Sequence, residues 1–184
     1  MDNLKIRASY AKVGDEGDFD AFQYLDGYTS HGSYIMGSGG VTSGMTTVGM
    51  ANSWLTWYES KIMNVGFEVS YHRGLISMEF DWFRRNRSGL PATRSGSLPT
   101  VFGESMPQEN LNSDINTGFE IAIGHKNKIG EFLYDISANF STTRIKYDYV
   151  ERAASTNMYD NWRNNTNGRY KSIRWGKRVI GQFT

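Results

Sequence analysis

Apolar and polar side chains alternate with a period of two along much of this chain, the signature of strands with one greasy and one wet face. From Met63 to Tyr71 the odd positions are Met63, Val65, Phe67, Val69 and Tyr71, and the even ones are Asn64, Gly66, Glu68 and Ser70. Beyond His72-Arg73-Gly74, Ile76, Met78, Phe80 and Trp82 alternate with Ser77, Glu79 and Asp81, which predicts a hairpin with Tyr71 and Trp82 at its opposite ends. A second hairpin is predicted where Phe119, Ile121 and Ile123 alternate with Glu120, Ala122 and Gly124. A turn over residues 125–130 leads into Phe132, Tyr134, Ile136, Ala138 and Phe140, interleaved with Asp135, Ser137, Asn139 and Ser141. Near the start, Leu4, Ile6, Ala8 and Tyr10 alternate with Lys5, Arg7 and Ser9, and their partner is the strand that begins near Trp57.

Strands near 4–13, 61–71, 75–84, 114–125 and 131–146 are therefore expected to pair as antiparallel neighbours. Met63, Val65, Phe67, Ile76, Met78, Phe80, Ile121, Ile136 and Ala138 should share one face, with Glu68, Glu79, Asp81, Glu120 and Asp135 on the other. The connections alternate in length. Two are brief, whereas 14–55, 87–114 and 148–181 are long and rich in Gly, Ser, Thr, Asn and Tyr. Short turns on one side and long loops on the other are the pattern of an outer-membrane barrel. The run Gly37-Ser38-Gly39-Gly40-Val41-Thr42-Ser43-Gly44 reads as a flexible part of the first loop.

Composition narrows the choice without deciding it. The 184 residues carry 20 Lys plus Arg against 19 Asp plus Glu and no cysteine, which excludes a strongly polyanion-seeking chain, a disulfide framework and a thiolate site. No run approaches the roughly 20 apolar residues of a membrane helix, and the amino terminus lacks the apolar core of a signal peptide. Barrel strands need only about 9–11 residues each, so a mean hydropathy of −0.54 is compatible with a barrel. The expected fold is all-β: a segment of an antiparallel transmembrane β-barrel, an open curved sheet of about five long strands with long loops on one side. Five strands cannot close, since the smallest single-chain barrels use eight. Such a sheet has two open edges and a bare apolar face, so the isolated polypeptide is not expected to be a stable soluble monomer. The alternative is a soluble β-sandwich carbohydrate-binding module, whose apolar faces meet in a dry core.

Four stretches, in order along the chain, resemble the SusC/RagA-like family of TonB-dependent outer-membrane transporters. They are Leu4-Lys5-Ile6-Arg7-Ala8-Ser9-Tyr10-Ala11-Lys12-Val13-Gly14-Asp15; Leu55-Thr56-Trp57 with Asn64-Val65-Gly66-Phe67-Glu68; Asn110 through Asn116-Thr117-Gly118-Phe119-Glu120; and Gly176 through Ile180-Gly181-Gln182-Phe183. Two departures stand out. Tyr58 occupies the place of the family's Glu in TWE, with Glu59 one place later and so on the opposite strand face, and Asn112 replaces a Gly. The resemblance implies a partial barrel over residues 1–184, without signal peptide, plug domain or terminal strand. It further implies nutrient transport across the cell outer membrane, no enzymatic activity and no cofactor. The implied partners are a SusD-like surface lipoprotein, TonB, outer-membrane lipid and a glycan or peptide substrate.

Candidate chemistry is sparse. His31, His72 and His125 share no spacing, which argues against a metal site. Glu68, Glu79 and Asp81 lie close on one polar face, the residue type that serves as acid and base in glycoside hydrolysis, but lumen-facing charges are routine in barrels. The stretch 161–184 holds Arg163, Arg169, Lys171, Arg174, Lys177 and Arg178 among Trp162, Tyr170 and Trp175, a mixture able to bind nucleic acid. An exterior loop with its return strand accounts for it better, so no nucleic acid partner is expected. Tyr28, Tyr34, Phe102, Tyr159 and Trp162 are the loop aromatics expected to touch substrate. Tyr10, Tyr71, Trp82 and Tyr134 are expected to form interfacial girdles.

Overall fold

The elements run β1 (Asn3–Asp15), β2 (Tyr28–Ile35), β3 (Val41–Thr47), β4 (Tyr58–Tyr71), β5 (Ile76–Thr93), a 3-10 turn (Thr100–Phe102), β6 (Gln108–Ile129), β7 (Phe132–Tyr149) and α1 (Met158–Asn164). This computed structural model describes residues 2–181 except 20, 36, 38, 95–98, 105, 177 and 179. Ser38, Lys177, Gln182 and Phe183, which figured in the sequence reading, thus lie outside the described residues.

Five strands form one antiparallel meander in the order β1-β4-β5-β6-β7, as the alternation predicts, and β2 pairs with β3 in a small separate sheet. Register puts whole rows of side chains on one face, because cross-strand partners point the same way. One such row is Leu4, Val69, Met78, Ile123 and Ala138, and the next is Ile6, Phe67, Phe80, Ile121 and Phe140. Then come Ala8, Val65, Trp82, Phe119 and Thr142. Every residue assigned above to the apolar face falls on it, and every assigned carboxylate falls on the other. Phenyl rings run across this face in a chain, with centroids 5.5 Å apart for Phe67 and Phe80, 6.3 Å for Phe80 and Phe119, and 6.0 Å for Phe119 and Phe140.

Nothing in the described chain covers that face. Ile6 is 74% and Phe140 59% exposed, and no large side chain is fully buried among the described residues. This overturns the sandwich alternative, which requires a second sheet packed over the apolar side. From Phe132 to Thr142 is ten steps along β7, with Tyr134, Ile136, Ala138 and Phe140 between them on this face, about 33 Å along the strand at 3.3 Å each. With the roughly 40° tilt of a barrel strand this is about 25 Å along the membrane normal, the height of an outer-membrane apolar band.

Four details differ from the sequence reading. The strands outrun the alternation: β5 continues to Thr93 and β6 begins at Gln108, so the middle connection narrows to residues 94–107 and is still far longer than the two turns at the other end. Trp82 consequently lies within β5, opposite Val65, and not at a hairpin end. The second turn is Gly130-Glu131 alone, with 125–129 continuing β6, and Gly130 takes the positive φ (64°) that so tight a reversal needs. Part of the glycine run is β3, not loose chain: Gly44 pairs beneath the Tyr34 ring, where a Cβ would lie 2.6 Å from the His31 carbonyl oxygen. Asn112, at the family's glycine position, sits within β6 beside a register shift and accepts a hydrogen bond from Glu151 N at 2.7 Å.

Candidate functional site

The face opposite the apolar one carries the chemistry. Register places Lys5, Glu68 and Glu79 in one row and Arg7, Gly66, Asp81 and Glu120 in the next. Arg7 gathers three carboxylates: Nη1 donates to Glu68, and Nη2 donates to Glu79 Oε1 at 2.6 Å and Asp81 Oδ2 at 2.5 Å. Lys5 Nζ stands 3.8 Å from Glu68. One guanidinium thus ties three carboxylates from two strands into a single ion-pair cluster across β1, β4 and β5.

Asp81 reaches across β4 because position 66 has no side chain. A Cβ there would overlap the Asp81 carboxylate and lie 2.7 Å from the Phe80 carbonyl oxygen. Gly66→Ala should displace Asp81 from Arg7 and cost about 1–3 kcal/mol, the usual price of overpacking. Urea unfolding of the lipid-embedded protein checks this; an unchanged midpoint would mean that Asp81 is not held there. Gly118 plays the same part for Phe83, whose ring occupies the place of the missing side chain, with Cζ 2.5 Å from where a Cβ would be.

At the long-loop end, this face carries the buried side chains of the sheet among the described residues. Asp114 is 4%, Tyr58 5% and Ser60 7% exposed. Arg87, opposite Asp114 in register, donates Nε to Oδ1 at 2.8 Å and Nη2 to Oδ2 at 2.5 Å. Its guanidinium lies 5.8 Å from the Tyr58 ring centroid, and Asp18 approaches it at 3.7 Å. Tyr58 Oη donates to Asp15 Oδ2 at 2.5 Å, and the Phe19 ring packs 6.4 Å from the Tyr58 ring. Tyr58, the departure from the family's Glu, thus pins the start of the first loop. Glu59 faces the other way, bonded to Lys12 at 2.5 Å and Lys61 at 2.7 Å.

The loops are tied to one another. Asn52 Nδ2 donates to the Gln108 carbonyl at 2.7 Å, Asn110 Nδ2 donates to the carbonyls of Thr56 (2.6 Å) and Gly89 (2.7 Å), and Thr47 donates to Glu104. Arg94, just past β5, donates to Glu109 at 2.9 and 3.2 Å, which raises the guanidinium pKa above its already high ordinary value. Between the first loop and segment 106–108 opens a cavity of about 520 Å³ walled by Phe22, Leu25, Val48, Met50, Pro107 and Gln108. Gln108 Oε1 is buried without a hydrogen-bond partner among the described residues.

The aromatic candidates fall into two groups. Tyr28 and Tyr34 are exposed on β2, and Phe102 is exposed on the 3-10 turn. Tyr159 and Trp162 lie on α1 with rings 6.1 Å apart, and Trp175 meets Trp162 edge-on at 5.1 Å. Arg169 lies 5.5 Å from Trp162 and 5.3 Å from Trp175, with Nη2 donating to the Trp162 carbonyl at 2.7 Å. That guanidinium is thus engaged within the loop itself, which disfavours the nucleic-acid reading of this basic stretch. The three histidines are spread over β2, the β4–β5 turn and β6, and no group of three or more metal-ligating side chains exists among the described residues. Sequence reasoning passed over Arg87, Asp114, Phe83 and Gln108. Continuing the two-residue period past Arg84 would have set Arg87 on the polar face.

No family model matches the chain. In sequence it is 26% identical over 143 residues to TonB-dependent receptor P3 of Formosa agariphila and 28% identical over 141 residues to TonB-dependent receptor P39 of the same organism. These alignments cover 77% and 75% of this chain, which spans 14% and 13% of the two receptors' lengths. In structure it is similar to a chain of the RagAB peptide importer in the closed-closed state, with a TM-score of 0.66 at 18% identity over 83% of this chain and 16% of that one. The open-open state gives 0.65 over 80% and 16%. The resemblance to SusC/RagA-like TonB-dependent transporters, first carried by short motifs, is borne out by these relatives.

Proposed function

We propose that this chain forms part of the wall and the exterior loops of an outer-membrane, TonB-dependent transporter that imports an oligomeric nutrient, a glycan or a peptide. One observation carries the reading: an uncovered apolar face, five strands wide and about 25 Å tall, backed by a face of paired charges. In lipid every backbone polar group must be paired, so this meander works as one arc of a closed barrel completed by further strands. Residues 1–184 are on this reading a partial barrel, with the arginine-clamped carboxylates turned toward the lumen. The sequence relatives support TonB coupling, and the RagAB likeness supports a SusD-like lipoprotein seated over the long-loop side. Tyr159, Trp162 and Trp175 offer flat ring faces to sugars or to apolar and amide groups of a peptide. Tyr28, Tyr34 and Phe102 offer further faces on the neighbouring loops, and Gln108 beside the loop cavity offers a hydrogen-bond acceptor.

The chain has no cysteine, so topology can be read with single introduced thiols. A cysteine replacing Tyr159 should react with a membrane-impermeant maleimide on intact cells. One replacing Arg73, in the short turn, should react only after the outer membrane is permeabilised. Equal labelling of the two on intact cells defeats the proposal. Trp162→Ala should weaken binding of the imported oligomer about threefold to tenfold in a titration, the range of one lost aromatic contact.

A further inference from the structure

Resting on the wall reading, we infer that the lipid-facing side of this sheet carries a binding belt for the phosphate groups of lipid headgroups in the leaflet on the long-loop side. The belt is visible only in the register. At the long-loop edge of the apolar band, one row holds Tyr10, Met63, Arg84, Thr117 and Arg144, and the next holds Lys12, Lys61, Asn86, Ile115 and Lys146. Five cations thus occupy two adjacent rows on the face that elsewhere bears Val65, Phe67, Phe80 and Ile121, and all five are exposed.

The cluster carries more positive charge than its own carboxylate offsets, and the excess favours an external anion. Lys12 and Lys61 are directly opposite each other, a like-charge pair that destabilises a sheet. Glu59 bridges these two and is the one carboxylate bonded within the cluster; Asp148, one step further toward the loops, is hydrogen-bonded to Ser113 at 3.0 Å. Arg84 donates to Asn86 at 3.1 Å, and Arg144 lies 4.9 Å from the Tyr170 ring centroid; among the described residues neither is paired with a carboxylate. The opposite edge of the band has no such feature. Its rows hold Tyr71, Ile76, His125 and Ile136, then Asn127 with Tyr134 and Ile129 with Phe132, with neither lysine nor arginine.

Depth and charge together choose the occupant. The cations begin where the apolar rows end, so their methylene stems lie along the hydrocarbon boundary and their heads reach the polar layer. Five strands at about 4.8 Å spacing make the belt about 19 Å wide, which spreads the charge along the membrane plane. Arginine and lysine at that depth meet headgroup phosphates, to which guanidinium binds with two parallel hydrogen bonds. Anionic headgroups are also the groups to which juxtamembrane basic clusters are drawn electrostatically.

The test uses the intact protein that contains this chain, purified in detergent and mixed with phosphatidylcholine vesicles that either contain or lack diphosphoryl lipid A. The wild type should insert into both and show at least about tenfold preference for the lipid A vesicles at low salt, a preference that falls in high salt. The variant K12Q/K61Q/R84Q/R144Q/K146Q should still insert but lose that preference. If the fivefold variant does not fold, R84Q/R144Q serves in its place and should lose a large part of it. A variant that keeps the full preference, or a wild type that shows none, overturns the belt and leaves the wall reading intact. A wild type that enters neither vesicle overturns both.

Discussion

Replacing Phe80 with arginine is expected to destabilise the lipid-embedded protein by about 2–4 kcal/mol, the cost of a charge at the bilayer midplane on the outer face of a barrel. Phe80 stands in the middle apolar row, between Phe67 and Ile121 in register, with its ring stacked on Phe67. One apolar row, that of Trp82, separates it from Arg84's row, and one, that of Met78, separates it from the Tyr71 row, each end lying four residues away along β5. An arginine head there cannot reach water by extending along its stem. The matched control is Ser141→Arg, one position from the middle row on β7 and on the polar face, where the effect should be below about 1 kcal/mol. Urea titrations of both variants refolded into vesicles make the comparison. Out of lipid the sign reverses: the same arginine at position 80 should raise the aqueous solubility of the isolated chain, since it interrupts an exposed apolar face. Equal costs for the two variants in vesicles would remove the distinction between lipid and lumen faces on which the function rests.

The alternation in the sequence marks where the two faces of the sheet differ, not where the strand begins and ends. Between Met63 and Tyr71, or Ile76 and Trp82, each residue belongs to either the apolar or the polar face, so its chemistry declares its face and the register follows. Past Arg84 both faces of β5 are wet, Arg84-Arg85-Asn86-Arg87 carries no period, and the strand nevertheless continues to Thr93. Its continuation depends on long-range partners, Asp114 for Arg87 and the Asn110 amide for the Gly89 carbonyl, which no local pattern announces. The β2–β3 hairpin was hidden for the same reason, being exposed nearly throughout and built from Thr, Ser and Gly. The cation belt was legible residue by residue but not as a belt, because its members come from four strands that are up to 134 positions apart between Lys12 and Lys146.

Arg87→Met should be the most damaging single change at the long-loop end, costing about 3–5 kcal/mol, because it leaves the Asp114 carboxylate buried with both donated hydrogen bonds removed. The reciprocal change is expected to be milder. In Asp114→Leu the guanidinium, with 19% of its side-chain surface exposed, keeps Asp18 at 3.7 Å and the Tyr58 ring face as partners. The double variant R87M/D114L should recover most of the loss, since two apolar groups of similar size replace an ion pair without leaving either charge alone. Arg87 also backs Tyr58, which holds Asp15 and Phe19, so its removal should loosen the first loop before the lipid-facing rows are affected. Limited proteolysis should therefore nick residues 16–57 faster in R87M than in D114L, while the unfolding midpoints, measured as a double-mutant cycle in vesicles, give the coupling. If R87M and the double variant were equally unstable, the pair would not be coupled, and the long loops would have to be held in place by the Asn52, Asn110 and Glu109 contacts instead.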